Sequence, residues 1–135
     1  MNSLIEIEKA SLTEKERLKI LVVDDDSTIR EYVGNALGTS DFSVLLARDG
    51  VEALKLIDSS TEMIDVLLLD VVMPRLNGSE LARVIQSWHP KIKIIFMSGY
   101  PHDFMANQGI PAGDVSYLRK PFTTECLLQA VTERR

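Results

Sequence analysis

Cysteine is almost absent. Cys126 is the only one in 135 residues, so no disulfide can close within the chain and no cluster of thiolates can hold a metal. Long apolar runs are missing too, each stopping well short of the roughly 20 residues a membrane helix needs. The opening stretch, Met1 to Leu18, lacks the apolar centre of a signal peptide. Basic residues fall short of acidic ones, 15 against 20, and a net charge of -5 argues against a nucleic-acid surface. What is present in quantity is apolar side chain, 45% of a chain the length of one ordinary domain, which is ample for a single core. The expected protein is soluble and cytoplasmic, with neither nucleic acid nor membrane as a partner.

The apolar residues fall into two alternating patterns. Short runs rich in β-formers stand at Lys19 to Val23, Phe42 to Ala47, Val66 to Leu69, Ile92 to Met97 and Val115 to Leu118. Between them come helical repeats. Ile29, Tyr32, Val33, Ala36 and Leu37 form one stripe, with Ser27 placed as N-cap and Gly38 just past the end. Ala53, Leu54 and Ile57 form a second, and Leu81, Val84, Ile85 and Trp88 a third that Pro90 ends, with Trp88 expected to pack. A short helix is expected within His102 to Gln108, and a last one from about Thr123 to Arg135 with Leu127, Ala130 and Val131 inward and Cys126 buried. Met1 to Leu18 reads as a tail or linker carrying two capping-box spacings, Ser3/Glu6 and Ser11/Glu14. Five strand–helix units predict an α/β fold: a flavodoxin-like, doubly wound (βα)5 sandwich with a five-stranded parallel sheet of order 2-1-3-4-5.

In such a sheet, ligands bind beyond the carboxyl ends of the strands. Asp24, Asp25 and Asp26 follow the first strand, Asp70 ends the third, Ser98 follows the fourth and Lys120 the fifth. Acidic residues after a strand also cap helices, and Asp26 or Ser27 can do that here, but capping accounts for one residue of the run. Three carboxylates brought together repel, and an oxygen-preferring divalent cation resolves the repulsion. Mg2+ fits best, because it accepts one or two carboxylates and leaves positions for phosphate oxygens.

The motifs I-L-V-V-D-D-D, L-L-L-D-V-V-M-P, F-M-S-G-Y and Y-L-R-K-P-F follow one another in this order. Together they resemble the receiver domain of response regulators, the phosphoacceptor half of two-component signalling, over Lys19 to about Val131. The resemblance divides the chain into a tail or linker at 1–18 and a receiver at 19–135. It implies that Asp70 is phosphorylated from a histidine kinase or histidine phosphotransfer protein, with Lys120 and Ser98 assisting. It further implies Mg2+ held by Asp25 and Asp70, by Asp24 mostly through water, and by the Val72 carbonyl. Ser98 and Tyr117 would be the switch pair, and the Lys120–Pro121 peptide cis. The partner would dock on Ile29, Met73, Pro74, Pro121 and Phe122, with the domain a monomer or weak homodimer. The S-G-Y-P segment is also similar to receivers of hybrid sensor histidine kinases.

Other readings explain less. An aspartate-nucleophile phosphatase of the haloacid-dehalogenase type needs a second carboxylate two positions after Asp70, where this chain has Val72, so turnover on outside substrates is not expected. A flavin-mononucleotide module needs a hydroxyl- and glycine-rich phosphate loop after the first strand, where three aspartates stand instead. A degenerate receiver, working only as an interaction module, would lack phosphorylation residues that are all present here.

Overall fold

Four-residue apolar cores, bounded by turns, make strands buried on both faces. The computed structural model describes residue 13 and residues 17–38, 41–59, 63–71, 73, 77–99 and 115–133. Within these lie strands β1 (Leu18–Val23), β2 (Phe42–Ala47), β3 (Val66–Asp70), β4 (Lys93–Ser98) and β5 (Val115–Arg119). They alternate with helices α1 (Ser27–Leu37), α2 (Gly50–Ser59) and α3 (Gly78–Trp88), and β5 leads into α4 (Thr124–Thr132). All strand pairs are parallel and the order is β2-β1-β3-β4-β5, as expected from the pattern. The short helix expected within 102–108 and nearly all of the tail lie outside the described residues. No described helix is long and apolar enough to cross a membrane.

Alternation along the strands splits the core in two. Leu21, Val23, Leu67, Leu69, Ile94 and Phe96 face α2 and α3 and meet Ala53, Ile57, Leu81 and Ile85. Ile20, Val22, Val66, Leu68, Ile95 and Met97 face the other way, against Val33 and Leu37 of α1 and Leu127 and Val131 of α4. Each fully buried Leu or Ile contributes about 1.5–3 kcal/mol. This double layer is what holds the strand ends rigid.

Several expectations need correction. The N-cap of α1 is Asp26, whose carboxylate accepts from the Thr28 amide at 2.9 Å, so Ser27 is the first helical residue instead. Val84 and Trp88 are exposed. The buried line on α3 runs through Gly78, Leu81, Ala82 and Ile85 and continues to His89, which leaves Trp88 at its edge, roughly 75° from its centre around the axis. Cys126 is exposed rather than buried, because Leu127 and Val131 occupy the inward line of α4 and position 126 is rotated off it. Helix α4 ends at Thr132, with Thr123 as N-cap and Glu133 as C-cap.

Candidate functional site

The sheet brings four strand ends to one place. Val23 of β1 is in register with Leu69 of β3, so Asp24 and Asp70 lie side by side as each strand ends. Asp70 pairs with Met97 and Ser98 with Arg119, which sets Ser98 and then Lys120 on the far side of Asp70. The β5 end is tied down by the Lys120 amide, which donates to the Ser98 carbonyl at 2.8 Å. The peptide between Lys120 and Pro121 is cis.

Asp24, Asp25 and Asp70 each offer a carboxylate oxygen, and these oxygens lie within 4.8 Å of one another. Asp24 is fully buried, Asp70 nearly so, and Asp25 faces solvent. Asp24 is held on every side. Its Oδ1 accepts from the Asp26 amide at 2.9 Å, its Oδ2 accepts from Lys120 Nζ at 2.8 Å, and its carbonyl accepts from Arg30 Nη1 at 2.8 Å. Lys120 Nζ stands 3.7 Å from Asp70 Oδ1. Three carboxylates (-3) and one ammonium (+1) leave a formal charge of -2, which a divalent cation would cancel. The all-oxygen donor set suits a hard cation of the Mg2+ type.

Two features escaped the sequence reading. Gly78 packs directly on the end of β3: its amide donates to the Val71 carbonyl at 2.9 Å, and a Cβ there would fall 2.3 Å from the Asp70 carbonyl oxygen. Only glycine permits that approach. The available signal was the Asn77–Gly78 pair opening a helix, since Asn77 caps α3 by accepting from the Ser79 amide at 2.7 Å. Arg30 is the other feature, and because it acts on a backbone carbonyl nothing in its spacing announces it.

The structure brings Asp24, Asp25, Asp70 and Lys120 together, with Ser98 buried at the adjoining strand end. Tyr117 pairs with Phe96 across β4 and β5, rings 6.2 Å apart and 23° from parallel, and therefore stands on the sheet face that Ser98 shares. Val72 and Pro74 lie outside the described residues. Of the other expected docking residues, Met73 is buried in the core and so is not available to a partner, while Pro121 is exposed and Ile29 and Phe122 are half-buried.

The family model for the response regulator receiver domain matches residues 20–132. The chain belongs to the response regulator receiver family. Response regulator MprA of Mycobacterium avium (strain 104) is 42% identical to this receiver over 111 residues, 82% of this chain and 48% of that protein. The receiver thus spans about half the length of the curated relatives it matches. Among solved structures, chemotaxis protein CheY4 of Vibrio cholerae superposes with a TM-score of 0.76 at 30% identity, covering 85% of this chain and 96% of that one. The receiver domain of the hybrid histidine kinase CckA superposes with a TM-score of 0.71 at 29% identity, covering 84% and 94%. This chain is accordingly a phosphoacceptor signalling domain of two-component systems.

Proposed function

We propose that Asp70 is the phosphoacceptor, taking a phosphoryl group from a phosphohistidine of a histidine kinase or histidine phosphotransfer protein in a Mg2+-dependent reaction. The observation that carries this reading is the carboxylate cluster at the sheet's switch point, with the Lys120 ammonium 2.8 Å from Asp24 and 3.7 Å from Asp70. An Asp70 carboxylate oxygen attacks phosphorus, the P–O bond forms as the P–N bond breaks, and the electron pair leaves with the imidazole. Lys120 balances charge on the transferring oxygens, and Asp24 holds that ammonium in place. Mg2+, held by Asp25, Asp70, the Val72 carbonyl and Asp24 through water, would neutralise the remaining phosphoryl charge. Both Asp24 carboxylate oxygens already accept hydrogen bonds, which supports a less direct role for it than for Asp25.

Ser98 and Tyr117 are assigned as the switch. Once Asp70 carries a phosphoryl group, the Ser98 hydroxyl donates to it and Tyr117 follows from its place on the neighbouring strand. Beryllofluoride with Mg2+ should move the Tyr117 amide resonance. A signal that stays in place would make the domain a passive relay. The receiver assists its own phosphorylation and dephosphorylation without turnover on other substrates. Residues 19–135 form the receiver unit and 1–18 a tail or linker, in a cytoplasmic protein that is a monomer or weak homodimer and binds no nucleic acid. A place within a hybrid sensor kinase is one such context, and the neighbouring coding sequence decides it.

The test is labelling from phosphoramidate with Mg2+. Wild type should gain one phosphoryl group and Asp70→Asn none, and EDTA should stop the reaction. Undiminished labelling of Asp70→Asn, or indifference to EDTA, rejects the assignment.

A further inference from the structure

Lys120 is an ammonium on a flexible four-carbon stem, so where it stands depends on what holds its backbone. Its own amide is fixed to Ser98, as described. Two residues on, the chain is fixed again from a different element. Tyr32 of α1 donates its hydroxyl proton to the Phe122 carbonyl at 3.1 Å and, with that proton committed, accepts from Thr124 Oγ1 at 3.2 Å. Its ring packs against that of Phe122 at a 49° tilt, centroids 5.9 Å apart.

The contacts close a ring. The Asp24 carboxylate binds Lys120, the segment after Lys120 binds Tyr32, and two residues back along α1 Arg30 binds the Asp24 carbonyl. One helix thus references both the most deeply buried carboxylate of the site and the segment that carries its lysine. We infer that Tyr32 is a positioning residue: its hydroxyl, through Phe122 and Thr124, sets where the Lys120 ammonium stands between Asp24 and Asp70. The inference rests on the phosphoacceptor role proposed for Asp70. A tyrosine serving only as apolar cover for Phe122 would need its ring and not its hydroxyl, and that difference can be measured.

Tyr32→Phe keeps the ring and removes the hydroxyl. The maximal rate of Asp70 phosphorylation from phosphoramidate at saturating Mg2+ should fall about threefold to tenfold, the effect of one hydrogen bond on a barrier. Mg2+ affinity should not change, because the carboxylates are untouched, and the Lys120 amide resonance should shift. In a Lys120→Ala background the same substitution should slow the reaction no further, since the route through Lys120 is gone. If Asp70→Asn abolishes labelling yet Tyr32→Phe is as fast as wild type, this inference fails and the role of Asp70 stands. Equal slowing with and without Lys120 would place the effect in the fold at large and overturn it as well. If Asp70→Asn labels like wild type, the phosphoacceptor reading falls first and takes this inference with it.

Discussion

Gly78 shows how one missing side chain can hold a site together. Its backbone lies where any Cβ would collide with the Asp70 and Val71 carbonyls, so the first turn of α3 sits directly on the end of the strand that carries Asp70. Gly78→Ala should cost about 1–3 kcal/mol, the range for overpacking a tight contact. It should also slow Asp70 labelling, because relief of the clash must move either the helix or the strand end. Urea denaturation with labelling in parallel checks both, and an unchanged midpoint would mean the helix start yields freely. The aspartates, Ser98 and Lys120 were legible in the sequence because each is a polar or charged side chain placed just where an apolar run stops. Gly78, Arg30 and Tyr32 were not, since each acts on a backbone carbonyl, and a sequence does not show which carbonyls are near.

Helix α3 illustrates the same limit one level up. Its apolar residues admit two overlapping stripes roughly 70° apart, and the larger side chains, Val84 and Trp88, favour the wrong one. The sheet takes the stripe of Gly78, Leu81, Ala82 and Ile85 because small residues allow the helix to sit close against β3. The two faces should differ sharply on truncation: Ile85→Ala about 2–5 kcal/mol, Trp88→Ala within about 0.5 kcal/mol. Comparable losses in thermal or urea melts would reverse the assignment. Strand β2 was read with its observed limits and β3 to within one residue, because parallel strands are short apolar blocks that turns delimit on both sides. Helix faces lack such edges, and so α3 was placed correctly along the chain yet misjudged in rotation, while α4 buries the expected Leu127 and Val131 and departs only at Cys126.

At the scale of the whole domain, the formal charge of -2 at the carboxylate cluster ties stability to cation concentration. A cation that binds only the folded form stabilises it by mass action, by about 1.4 kcal/mol at ten times its dissociation constant. Mg2+ should therefore raise the unfolding midpoint, EDTA should reverse the gain, and Asp25→Asn should abolish it. A midpoint insensitive to Mg2+ in wild type would remove the cation from the site. The solitary thiol of Cys126 has a practical consequence for such work. It is exposed on α4, the helix that begins just after Lys120, Pro121 and Phe122, and no second cysteine competes with it anywhere in the 135 residues. A maleimide dye or nitroxide attached there would label the native sequence at one known point. Fluorescence or spin-resonance spectra could then follow the start of α4 and the segment after Lys120 in solution, with no background of engineered cysteine replacements to control for.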